Sequence, residues 1–159
     1  VRSIGVKNWK GDAPMVDGDR EIAKRHPLQV ELVFEAKTYD IDFAGIVNNI
    51  VYVRWLEDLR CKMLTDSFSM QDQLEEGIHP VLIRTEIDYR KAVRLGEKPV
   101  GRMWIAEGSG VKWVLQAEFI LGGELVAEAR QEGVFVHHTT LKPVRMPHIF
   151  MRAIRESLG

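Results

Sequence analysis

One amphipathic stripe, set among segments that alternate, limits what this chain can fold into. Tyr52, Trp55, Leu56, Leu59 and Met63 recur at the spacing that places side chains on one face of an α-helix. Ile50, Val51 and Val53 add apolar surface beyond the stripe, so a helix from Ile46 to about Leu64 is expected to be well buried. Arg54–Asp58 and Asp58–Lys62 are spaced as four-apart ion pairs on another face. Asn48 stands where a capping side chain would accept from the first-turn amides. Cys61 lies in the helix near the stripe and reads as a small core residue.

Around this helix the period is two. Leu28, Val30, Leu32, Phe34 and Ala36 alternate with Gln29, Glu31, Glu35 and Lys37, the pattern of a half-buried strand. Residues 65–79 are polar, with a short helical turn closing at Gly77. Four more strands are expected: Val81 to Tyr89, Val100 to Glu107, Val111 to Leu121, and one from Leu125 to Val136. Gly96-Glu97-Lys98-Pro99, Gly108-Ser109-Gly110 and Gly122-Gly123 supply the turns between them. In the last strand Val134 and Val136 are out of phase with Leu125, Ala127 and Ala129, which predicts a bulge near Gly133. Pro147 suits the first turn of a terminal helix with Phe150, Ala153, Ile154 and Leu158 on its apolar face.

The order is strand, helix, four strands, short helix. Strands joined by tight turns pair antiparallel, so the expected fold is α+β: one long helix against a mostly antiparallel sheet of about five strands. Residues 1–27, punctuated by Gly and Pro, read as an extension, and 28–159 as a single domain. One helix cannot cover both faces of such a sheet, and the open edge predicts a homodimer or homotetramer.

At 159 residues the chain is long enough for one self-sufficient core. A net charge of −1 argues against bulk-charge binding to nucleic acid. The single cysteine excludes an internal disulfide and a Cys-rich zinc site and favours a reducing, cytoplasmic setting. No apolar run approaches the ~20 residues of a membrane span, and no secretory signal is expected.

The common catalytic signatures are missing: no phosphate-cradling GxxxxGK[ST], no GxGxxG after a strand, no Gly-x-Ser-x-Gly elbow. His26, His79, His137, His138 and His148 lack metal-ligand spacing, so neither a metal nor a cofactor is expected. Adjacent His137 and His138 should point to opposite faces of their strand. What remains is Tyr39-Asp40-Ile41-Asp42-Phe43-Ala44-Gly45-Ile46-Val47-Asn48-Asn49, two carboxylates and a glycine just before the buried helix. A helix start offers free N–H groups that can hold a developing oxyanion. A carboxylate beside it can attack a carbonyl carbon or activate water. The same acids could equally cap the helix or bond loop amides.

This stretch, continued through Ile50-Val51-Tyr52, resembles the signature of hotdog-fold acyl-CoA thioesterases of the 4-hydroxybenzoyl-CoA thioesterase type. The likeness runs from about Leu28 to Leu158, including Lys142-Pro143-Val144-Arg145-Met146-Pro147. It implies a hotdog fold, a long helix wrapped by a curved sheet, and hydrolysis of an acyl-CoA thioester. It implies Asp42 as the catalytic aspartate and Asn49 as the helix position whose backbone N–H polarises the thioester carbonyl. Gly45 would let the backbone approach the substrate, and Asp40 would support the loop. Lys112, Lys142 and Arg145 would hold CoA phosphates, with Arg90, Lys91 and Arg94 as further candidates, and Tyr52, Trp55 and Leu56 would line an acyl pocket between helix and partner subunit. In acyl-carrier-protein thioesterases and medium- and long-chain relatives a His commonly precedes Val-Asn-Asn; here that position is Ile46. Two alternatives stay open, an acyl-carrier-protein thioesterase and a non-catalytic acyl-thioester-binding module.

Overall fold

A computed structural model describes residues 26–158. The extension expected over 1–27 lies outside the described residues except at its end. There the His26 ring stacks on Trp104 at 4.3 Å, and the Ile105 N–H donates to the Pro27 carbonyl at 3.1 Å.

The elements run β1 (Val30–Val33), a 3-10 turn (Thr38–Asp40), α1 (Asn49–Ser67), α2 (Met70–Glu76) and β2 (Ile78–Tyr89). They continue through β3 (Val100–Ser109), β4 (Lys112–Leu121), β5 (Glu124–His137), β6 (Pro143–Val144) and α3 (His148–Leu158). All pairings are antiparallel, in the order β1-β3-β4-β5-β2. The two-residue β6 lies along β5 at Phe135 and Val136, which makes six strands rather than five. Gly122 and Gly123 both have positive φ, 58° and 83°, the tight-turn geometry that joins β4 to β5.

Every member of the predicted stripe is buried, and Leu56 and Leu59 are at 0% exposure. Trp55 stacks on Phe34 at 5.0 Å, and Tyr52 meets Phe119 edge-on at 5.3 Å. Gly101 is where this packing is tightest: a Cβ there would sit 2.5 Å from the Phe34 ring and 3.0 Å from Phe119. Ile50 and Val53 face outward, at 57% and 45% exposure in the single chain.

The helix begins later than its apolar pattern suggests. Ile46 and Val47 are held extended, by Asp42 N–H to the Ile46 carbonyl and Val47 N–H to the Val93 carbonyl at 2.8 Å. α1 therefore starts at Asn49, with Asn48 Oδ1 accepting from the Ile50 amide at 3.0 Å. Replacing Asn48 with Ala removes this cap and should cost about 1 kcal/mol, read as a lower urea midpoint with an unchanged m-value.

Several local expectations change. The first strand keeps its alternation, with Val30, Phe34 and Ala36 buried, but ladder pairing stops at Val33, opposite the first residue of β3. The four-apart ion pairs are replaced: Arg54 turns back to Asp40 at 3.3 Å and Lys62 pairs with Asp66 at 3.0 Å. Asp40 is buried and Asp58 exposed, so solvent screens the Arg54–Asp40 attraction less than it would Arg54–Asp58. Cys61 is exposed, because two residues past Leu59 a helix has turned away from its buried face. His137 and His138 do not diverge; β5 ends at His137 and the two rings stack at 4.8 Å.

The bulge sits across the ladder from its predicted place. β5 keeps one buried phase through Ala127, Ala129, Gln131, Gly133 and Phe135. The register shift falls between Leu82 and Arg84 of β2, facing Gly133 and Glu132. The outward phase carries ion pairs, Arg102–Glu31 at 2.7 Å and Arg130 with Glu107 at 3.2 Å and Glu132 at 3.1 Å. This face therefore carries several charged pairs. The edge of β2, with Val81, Leu82 and Ile83 exposed, remains open among the described residues.

Candidate active site

The site grows from the turn between the 3-10 segment and α1. Asp42 is half-buried, and its Oδ1 accepts from the Ala44 amide at 2.8 Å and the Ile46 amide at 3.4 Å. Its backbone closes the same turn, with N–H to the Ile46 carbonyl at 2.9 Å and its carbonyl accepting from Gly45 at 3.0 Å. Gly45 has φ +76° with open space where a Cβ would be, so the left-handed backbone is what requires glycine there. Asp42 Oδ2 makes no hydrogen bond among the described residues.

Asp40 has a different duty. It is buried at 7% exposure. One carboxylate oxygen accepts from the Lys37 amide at 2.9 Å and the other from Arg54 at 3.3 Å. Its carbonyl accepts from the Asn48 amide at 2.8 Å. Asp40 thus fastens the turn to the helix start, in keeping with the supporting role expected of it.

Beside the helix start lies a cleft of about 220 Å³ whose lining includes Ile46, Val47, Asn49, Tyr52, Tyr89 and Val93, together with Arg90, Lys91 and Ala92. The Asn49 amide, first in the helix, has no hydrogen-bond acceptor among the described residues. Asp42 does not line this cleft in the single chain, but Ile46, bonded to it twice, forms part of the wall. The Asp42 carboxylate and the acceptor-free Asn49 amide are thus joined through the Ile46–Val47 segment, Asp42 by its bonds to Ile46. Burial, with the nearby Tyr89 and Glu97, pushes the Tyr52 phenol up to about 12, so it stays protonated.

The other sequence candidates divide. Tyr52 reaches the cleft, whereas Trp55 and Leu56 are core residues. Lys112, Lys142 and Arg145 gather at the far end of the sheet, where Met146 N–H bonds the Gly110 carbonyl and His137 N–H the Lys142 carbonyl. Phe119, beneath Tyr52, lies on the order of 20 Å along β4 from Lys112. One chain does not bring these cations to its own Asp42. Arg90 and Lys91 are nearer but already paired, Arg90 Nε with Glu128 at 3.0 Å and Lys91 with Glu124 at 2.6 Å.

Tyr89 and Val93 were not singled out by the sequence. The Tyr89 hydroxyl donates to the Asn49 carbonyl at 3.0 Å, and Val93 holds Val47. Tyr89 ends a strand 40 residues from Asn49 in sequence, so no local motif could mark it.

Residues 36–154 match the family model described as the thioesterase-like superfamily. The chain belongs to that superfamily. As a superfamily member it resembles YneP of Bacillus subtilis (strain 168), which carries a provisional acyl-CoA thioesterase name, with 27% identity over 118 residues, 73% of this chain and 86% of that one. Among solved structures it is similar to a DHNA-CoA thioesterase from Staphylococcus aureus, with TM-score 0.69 and 23% identity, covering 82% of this chain and 88% of that chain. It is also similar to a 1,4-dihydroxy-2-naphthoyl-CoA thioesterase from Synechocystis, with TM-score 0.71 and 18% identity, covering 80% and 96%. These likenesses establish the hotdog fold for this superfamily member. No described helix is long and apolar enough to cross a membrane.

Proposed function

We propose that this superfamily member hydrolyses acyl-CoA thioesters to a free acid and CoA. What supports the reading is the acceptor-free Asn49 amide at a cleft whose wall residue Ile46 is hydrogen-bonded to Asp42. The amide, aided by the helix dipole, would hold the thioester oxygen as negative charge develops on it. Asp42 would supply the attack on the acyl carbon from its Oδ2. In one form it takes a proton from water, the water oxygen bonds to the carbon, the C–S bond breaks, and the thiolate leaves and is protonated. In the other the carboxylate itself bonds to the carbon, the thiolate leaves, and water then opens the anhydride. A carboxylate with an ordinary pKa near 4 is a weak base, while a thiol with a pKa near 8.5 is a good leaving group, so both routes suit the chemistry.

Gly45 would keep the turn's outer side clear for substrate. Lys112, Lys142 and Arg145 would hold the CoA phosphates, Lys as point charges and Arg as a fork. Since they lie far from Asp42 in one chain, a cleft would draw them from a second subunit. The open β2 edge, and the exposed Phe43, Ile50 and Val53 around the helix start, support a homodimer or homotetramer. A cytoplasmic setting fits a CoA-dependent hydrolase with one exposed thiol.

The test is release of free thiol from a panel of short, long and aromatic acyl-CoA esters and acyl-carrier-protein esters. Catalytic turnover of at least one CoA ester is expected. Turnover restricted to carrier-protein esters would transfer the reading to that substrate class. Saturable binding with no thiol released would make the chain a binding module.

A further inference from the structure

Tyr89 lines the cleft, yet its hydroxyl is directed to the backbone of α1. Its own backbone is held by the sheet. It pairs with Ala127 of β5, and the next two amides, Arg90 and Lys91, both donate to the Val126 carbonyl, at 2.9 and 3.0 Å. Its ring packs edge-on against Tyr52, which is wedged in turn against Trp55 at 5.0 Å and Phe119 at 5.3 Å. Partial burial pushes the Tyr89 phenol up, so it stays a donor at neutral pH. What it grips is one edge of a single peptide group. The carbonyl of the Asn49–Ile50 peptide accepts from Tyr89 at 3.0 Å, and the N–H on the opposite edge donates to Asn48 Oδ1 at 3.0 Å. The preceding peptide is held through the Asn48 carbonyl, which accepts from the Val51 amide at 2.9 Å. Both planes that flank the Asn49 Cα are thus fixed, and the Asn49 N–H is the group left without an acceptor among the described residues. Helix ends fray unless something outside the helix holds them. Among the described residues, Tyr89 is the only side chain of the sheet bonded to this turn.

We infer that Tyr89 is a positioning residue: its hydroxyl keeps the first turn of α1 wound, so that the Asn49 amide is oriented for the thioester oxygen before substrate arrives. This rests on the hydrolase reading and deepens it. A donor that stands in place before charge develops needs no rearrangement during the reaction. In this role Tyr89 touches neither the reacting carbon nor its oxygen; it acts through Asn49. Removing an oxyanion donor outright lowers kcat by about 10²–10³-fold. Loosening one leaves the donor present but misaligned part of the time, a smaller effect. The bonds on the two edges of the Asn49–Ile50 peptide also reinforce one another, because each polarises the group that the other uses. Tyr89 and Asn48 therefore act as the two jaws of one clamp.

The test is Tyr89→Phe, which keeps the ring and removes only the hydroxyl. On the CoA ester that the unaltered chain turns over best, kcat is expected to fall about tenfold while KM stays within about twofold. Asn48→Ala opens the same clamp from its other jaw, so the double variant should lose no more than about twofold beyond the worse single one. Exchange of the Ile50 amide, followed by NMR, should quicken about tenfold in Tyr89→Phe. An unchanged kcat or an unchanged exchange rate overturns the inference. So does a rise in KM alone, which would make Tyr89 a ground-state substrate contact, and so do single losses that simply multiply in the double variant. Urea curves fix conditions in which every variant is fully folded, which keeps lost fold out of the kinetics. If the unaltered chain turns over no ester, the hydrolase reading fails, and the exchange rate alone then decides: faster exchange in Tyr89→Phe upholds the clamp and equal exchange overturns it.

Discussion

Asp42→Asn is expected to lower kcat for thiol release by about 10³-fold, the scale of a lost general base or nucleophile. The substitution keeps an acceptor oxygen in the Oδ1 position, so the bonds from the Ala44 and Ile46 amides can persist and hold the turn in shape. It removes the negative charge and the nucleophilic oxygen. KM and the unfolding midpoint should therefore stay close to those of the unaltered chain. Steady-state kinetics on the best ester of the panel, with urea unfolding alongside, is the measurement. Turnover within a few-fold of normal would confine Asp42 to its turn. Asp40→Asn should behave in the opposite way, with a milder loss of turnover and a clear loss of stability, because both of its carboxylate oxygens serve the loop and the helix.

Gly133→Ala is expected to be the most damaging small change in the sheet. A Cβ at this position would overlap the Trp113 ring and press on the Val81 carbonyl oxygen, which is backbone and cannot rotate away. Trp113 is itself buried, so the indole has no nearby space to take. Overpacking of this kind costs about 1–3 kcal/mol, and the backbone clash places this case at or above the upper end. In a chain of this size that corresponds to a drop in Tm of roughly 6–12 °C. Calorimetry or a urea curve would register it, and a midpoint equal to that of the unaltered chain would show that Trp113 and β2 can yield.

These two positions differ in how openly the sequence announced them. The turn around Asp42 could be read directly, because two acids, a glycine and an asparagine cap immediately precede a five-residue apolar stripe, and all five of those side chains are buried. The Gly-rich hairpins were equally legible. The phase of β5 was not. Its buried face passes through Gln131, a polar residue held inside by Arg60 at 2.9 Å and Thr85 at 3.2 Å, and through Gly133, which has no side chain to betray its direction. Apolar Val134 and Val136 then suggest a slip near Gly133 that β5 does not make there; that register shift belongs to β2, and the irregularity of β5 itself lies at Val126, opposite β4. The cleft itself was out of reach of any linear pattern, since Tyr89 and Val93 arrive there only by tertiary folding. The distance between Asp42 and the proposed phosphate-binding cations was hidden for the same reason.

The bond from Tyr89 to the first turn of α1, with the Tyr89 ring edge-on to Tyr52 at 5.2 Å, ties the end of β2 to the helix opening. Tyr89 closes the strand whose far side is open, and its hydroxyl bears on the residue that presents the amide donor. The unpaired edge of β2 and the amide that opens the helix are therefore held at a fixed distance from one another by a single side chain.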